Sequence, residues 1–137
     1  MRDVIRLPIF IHEKDTVGVS LFDRREAAEY KLEPWYVEEY LDRGYDAEGR
    51  LLKIEVNPEP DRLPGVLISA AEVMPTHGGE LEAHLRDTLR LYRDPVADDL
   101  SCNLAGLVEA YVRVENRPRP KVLDSVLTWL KRILPRP

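Results

Sequence analysis

The chain holds three histidines, one cysteine and 25 acidic side chains in 137 residues, so few kinds of chemistry are open to it. His77, Glu80 and His84 stand at offsets 0, 3 and 7. On one continuous helix they share a stripe, where imidazole and carboxylate ligands could hold a divalent metal for a metal-dependent enzyme. The spacing departs from the His-Glu-x-x-His zinc pattern, whose histidines lie one turn apart. His77 also precedes Gly78 and Gly79, which weaken a first helical turn. A solvated flank beside a leucine stripe is the plainer reading of these residues, and no metal or other cofactor is expected. Cys102 could act as a nucleophile only with a histidine beside it. No flanking motif supplies one, and a lone cysteine ordinarily packs as a small hydrophobe. No glycine-rich phosphate loop follows any apolar run. No catalytic residue is therefore assigned.

A second constellation suits recognition better than catalysis. Trp35, Tyr36, Glu38, Glu39, Tyr40 and Asp42 combine aromatic rings, which carry interface energy, with carboxylates that pair with a partner's Arg or Lys. Trp35, Tyr36, Glu38, Glu39 and Asp42 are the candidate partner-binding residues. Read as a strand over 35–41, alternate members point to opposite faces, so about half could meet one partner. The third feature is residues 121–134. This strongly amphipathic segment has basic ends and includes Trp129. It suits docking on the core, a second subunit in a homodimer, or the surface of an anionic membrane as a peripheral scaffold module.

Charge orders these options. The formal net charge is −5. Residues 23–61 carry 12 acids and 6 bases, a net −6, and residues 113–137 carry 7 bases and 2 acids, a net +5. An acidic chain argues against a nucleic-acid binder, which shows a basic excess. The acidic middle can steer a basic protein partner toward the chain, or simply keep the surface solvated. One cysteine excludes an internal disulfide and a Cys-rich zinc module. No run approaches the roughly 20 apolar residues of a membrane span, and Met1-Arg2-Asp3 opens no signal peptide. A cytoplasmic protein with no membrane span is expected.

The positioning elements follow from periodicity. Residues 4–11 read as a strand in which Pro8 favours an edge or a bulge. Val17, Val19 and Leu21 alternate as a second strand. Asp23 and Glu26 fit a capping box for a helix over 24–32, stopped by Pro34. The stretch 45–50 is a hairpin turn closed by Gly49. Leu52, Ile54 and Val56 alternate on the returning strand, Pro58, Pro60 and Pro64 make a stiff linker, and 66–71 is another strand. The period then becomes helical. Thr76 would cap a helix carrying Leu81, Leu85, Leu89 and Tyr92. Ser101 or Asp99 would cap one carrying Leu104, Leu107, Val108, Tyr111 and Val112, and a last helix would cover 121–134. The expected fold is a single α+β domain over 1–137. It is a mainly antiparallel ββαβββ sheet with one helix over 1–71, then about three helices over 72–137, some packed on one sheet face.

The opening strand pair, Leu21-Phe22-Asp23 leading into a short Ala-containing helix, the run Tyr45-Asp46-Ala47-Glu48-Gly49-Arg50-Leu51-Leu52, and Met74-Pro75-Thr76-His77 opening a helix are similar to a family of small, mostly uncharacterised bacterial proteins. The similarity covers residues 4–92. That family in turn resembles the small acidic immunity proteins carried beside bacterial toxins. The resemblance implies a non-enzymatic binding protein that covers a basic toxin with an acidic surface, and it carries no catalytic residues.

Overall fold

The computed structural model describes residues 4–59 and 61–117. Five strands form one sheet: β1 (Ile9–Glu13), β2 (Ser20–Phe22), β3 (Leu41–Tyr45), β4 (Leu51–Val56) and β5 (Val66–Ala70), in the order β2-β1-β3-β4-β5. Every neighbouring pair is antiparallel. Among the described residues four α-helices accompany it: α1 (Arg25–Lys31), α2 (Pro34–Glu39), α3 (Gly78–Leu91) and α4 (Leu104–Glu115). A short 3-10 turn spans Pro95–Asp98. The fold is α+β, with the mainly antiparallel sheet that the alternating runs predict.

Three local expectations change. Residues 35–41 are not a strand: α2 occupies Pro34–Glu39 and the strand starts at Leu41. Pro34 explains this, because its fixed φ and missing N–H suit the first helical position, where that N–H has no intrahelical partner anyway. Pro8 lies just before β1, an interior strand, so its missing N–H costs the ladder nothing. The caps also move. Arg24, not Asp23, is the N-cap of α1, and His77, not Thr76, that of α3, both without a side-chain capping bond. Asn103 caps α4, accepting from the Gly106 N–H at 2.9 Å. Asp99 instead folds its own turn, accepting from the Ser101 N–H and hydroxyl. The amphipathic segment 121–134 lies outside the described residues.

Helices cover both sheet faces because of the connection between β2 and β3. Both strands run antiparallel to β1 and so parallel to each other, which requires a crossover. α1 and α2 form that crossover and close over Ile9, Ile11, Leu52, Val66 and Ile68 with Ala28, Leu32, Tyr36 and Val37. The alternation of β1 sends Phe10 to the other face. There Phe10, Val19 and Tyr45 pack with Leu81, Leu85 and Leu89 of α3 and Leu107, Ala110, Tyr111 and Val114 of α4. This core joins the strand-rich first part to the helical second part.

Polar side chains fasten these layers at two places. The backbone of Val19 donates to the Thr88 hydroxyl at 2.9 Å and accepts from the Tyr111 hydroxyl at 2.7 Å, which ties the strand margin to α3 and α4. Gly18, at φ +86°, permits that approach: a Cβ there would stand 2.5 Å from the Thr88 hydroxyl oxygen. The β3–β4 hairpin is built around Asp46, fully buried. Its carboxylate accepts from the backbone N–H groups of Arg6, Glu48 and Arg50 and from the Arg50 guanidinium at 2.7 Å. Arg50 in turn donates to the carbonyls of Val4 and Val73. A buried charge pair satisfied in this way avoids the penalty of an unpaired buried ion.

Candidate functional site

The helical form of residues 34–39 changes the geometry of the aromatic and acidic cluster. At 100° per residue, Trp35, Glu38 and Glu39 share one face and Tyr36 and Val37 the opposite one. Trp35 is 54% exposed, and Glu33, Glu38 and Glu39 are exposed with it. Tyr36 and Val37 pack against the sheet. Three rings brace this surface. The Trp35 ring stands edge-on to Tyr36 (6.3 Å, 82°) and to Tyr40 (5.8 Å, 86°), and Tyr36 and Tyr40 lie 6.2 Å apart. The Trp35 indole N–H donates to the Glu33 carboxylate. The large exposed ring is thus held in one orientation, which lowers the ordering cost of binding.

Of the five predicted partner-binding residues, Trp35, Glu38 and Glu39 stand together on the open face of α2. The other two have further roles. Tyr36 donates its hydroxyl to Glu13 Oε1 at 2.9 Å. Burial, reinforced by that bond and the Glu13 charge, pushes its phenol well above the ordinary range, so it stays a donor. Asp42 lies on β3, 41% exposed, and accepts from His12 Nδ1 at 2.8 Å.

Beside α2 lies a cleft of about 350 Å³, within the usual range for ligand sites. Ile11, Phe22 and Leu32 form its apolar floor, Trp35 and Tyr36 stand along it, and Glu13, Ser20, Lys31 and Glu33 bring polar groups to it. It opens at the margin of the sheet, where β2 is the edge strand. Sequence reading missed Glu13, Phe22, Lys31 and Glu33, because they come from β1, β2, α1 and the α1–α2 turn and only the crossover brings them together.

The histidines do not converge as the stripe suggested. His77 faces Glu72 at 3.1 Å, Glu80 pairs with Arg43 at 2.9 Å, and His84 stacks on His12 with ring centroids 4.0 Å apart. Among the described residues, no three His, Cys, Asp or Glu side chains are placed to hold a metal ion. The His12–His84 stack is a titratable pair that sequence spacing could not reveal. Both His12 nitrogens face acceptors, Asp42 Oδ2 and the Thr16 carbonyl at 3.0 Å. Burial, then the neighbouring His12, lowers the pKa of His84. Beside it the Tyr45 hydroxyl is buried with no partner in hydrogen-bond geometry. Burial and the nearby Glu80 charge push that phenol well up. Both His12 nitrogens are engaged and the Tyr45 phenol keeps its proton, which leaves His84, neutral at neutral pH, as the ring of this cluster able to take up a proton. Cys102 is half-buried in the loop before α4, and its carbonyl accepts from Arg86 at 2.8 Å.

Among the described residues no helix is long and apolar enough to cross a membrane. No family model, curated protein or solved structure matches this chain at a significant level.

Proposed function

We propose that this chain is a non-enzymatic binding protein that docks a basic protein partner on the open face of α2. The observation that carries the reading is Trp35, more than half exposed yet fixed by two tyrosine rings and Glu33, with Glu38 and Glu39 on the same helical face. A rigid aromatic anchor ringed by carboxylates is the composition that recognises an Arg- or Lys-rich surface. The surrounding acidic segment favours fast, salt-sensitive association. Neutralisation of a basic toxin in the cytoplasm is the specific form of this function that the family resemblance suggests.

The test is direct mixing with the products of the adjacent genes, followed by size-exclusion chromatography and calorimetry at several salt concentrations. The expected result is a 1:1 complex with a basic product. Its affinity should fall steeply as salt rises and should be lost in Glu38→Lys/Glu39→Lys. A complex that forms equally well with the charge-reversed protein would refute the assignment of the surface.

A further inference from the structure

We infer that the cleft beside α2 receives an arginine side chain of the partner protein; this rests on the binding-protein reading above. The floor of Ile11, Phe22 and Leu32 matches an aliphatic stem, which long cationic side chains lay along apolar surface while their heads stay polar. Two carboxylates, Glu13 and Glu33, line the same cleft, and each already accepts from one ring, Tyr36 and Trp35 respectively. An ionised carboxylate has about four acceptor positions, so each keeps capacity for a further donor. Among the described residues lining the cleft, Lys31 is the one cation against Glu13 and Glu33, a local excess of one negative charge.

A guanidinium fits this combination best. It is planar and more weakly hydrated than an ammonium. It stacks on aromatic faces and presents five donors in a fork that matches carboxylates. The exposed Trp35 indole offers the face, and Glu13 and Glu33 offer the acceptors. A neutral apolar side chain would desolvate both carboxylates and leave each with only its one ring donor, and an acidic one would be repelled.

The probe is N-acetyl-arginine N-methylamide, titrated into the ¹⁵N-labelled protein while the Trp35 indole N–H signal is followed. That signal is identified by its disappearance in Trp35→Phe. Saturation is expected with a dissociation constant on the order of 1 mM, the range open to a ligand of this size. The capped lysine analogue should bind about fivefold more weakly, because it lacks the planar fork. Capped leucine and capped glutamate should not saturate. Glu13→Gln/Glu33→Gln keeps an oxygen for each ring donor and should weaken binding about tenfold. Lys31→Glu should strengthen it about threefold, a gain that misfolding cannot imitate. Equal affinity for lysine or leucine, no loss in the double variant, or weaker binding by Lys31→Glu would each overturn the inference. Glu38→Lys/Glu39→Lys lies outside the cleft and separates the two claims. Arginine binding that survives there while capture of the whole partner survives too refutes the α2 surface alone. Whole-partner capture that α2 controls, with no arginine binding, refutes the cleft alone.

Discussion

The two faces of the sheet are built from helices of different length, and the difference separates scaffold from surface. On one face α3 and α4 have 14 and 12 residues, long enough to bury Leu81, Leu85, Leu89, Leu107 and Tyr111 in continuous rows. On the other, α1 and α2 have 7 and 6 residues. Two short helices cannot close the whole margin of the sheet. Trp35 stays exposed, and the cleft opens between the α1–α2 turn and the edge strand β2. The closed face turns polar side chains inward, as in the Val19–Thr88–Tyr111 tie and the His12–His84 stack. The open face turns Glu38 and Glu39 toward solvent.

The largest expected effect lies on the closed face. Leu85 is fully buried. Leu85→Ala should cost about 2–5 kcal/mol in urea unfolding, since it removes contacts and leaves a cavity. Unfolding unchanged by that substitution would show the α3 rows to be loose. Next is Gly49→Ala. Gly49 holds φ +86° and a Cβ there would stand 2.4 Å from the Gly78 backbone, so the hairpin and the start of α3 must part. A loss of about 2 kcal/mol or more is expected by the same measurement.

A smaller effect is the pH dependence of the closed face. The folded pKa of His84 lies below its unfolded value of 6.5, chiefly through burial and then through His12, with Glu80, Asp87 and Asp42 opposing. Above 6.5 the ring is neutral in both states and its contribution to stability is complete. As pH falls below 6.5 the unfolded chain takes up a proton that the half-buried ring resists, so stability declines. His84→Phe should flatten that decline between pH 7 and 5.5, as read by thermal unfolding, whereas a wild type flat over this window would contradict it.

Glu72 acts further down the scale. Burial opposes its ionisation, but the hydrogen bonds from Leu51, Thr76 and His77 prevail and hold the carboxyl at about 2, against 4.5. Its stabilisation is complete above 4.5 and is lost as pH falls toward 2. Acid titration of Glu72→Gln should lack that component. The smallest effect on stability is expected on the open face. Trp35→Ala should change the unfolding free energy by less than about 1 kcal/mol while removing partner binding. A large loss of stability there would make Trp35 a scaffold residue.

Much of this division was legible in the residues. Apolar runs marked β1 and β5, alternation marked β4, the leucines spaced by four marked α3, and Asp46 with Gly49 marked the hairpin, because each is a local pattern with a local cause; of the alternating Val17, Val19 and Leu21, only Leu21 lies on β2. What resisted reading was set by tertiary placement. Residues 35–41 read as a strand although Glu38-Glu39 interrupts the alternation, and the helix found there depends on Pro34 and on the need to cross from β2 to β3. The His12–His84 stack joins residues 72 positions apart, and the cleft draws on β1, β2, α1 and α2. The strand reading divided Trp35, Glu38 and Glu39 between faces, and the helix reunites them.

The most direct test of the account is a parallel capture from cells of the source, quantified by mass spectrometry, with four versions of the protein matched for melting temperature. These are wild type, Trp35→Ala, Glu38→Lys/Glu39→Lys, and Glu109→Lys, a charge reversal at an exposed position on α4. The account predicts a basic protein retained by wild type and Glu109→Lys and lost by the two α2 variants. An identical set of captured proteins from all four would contradict it.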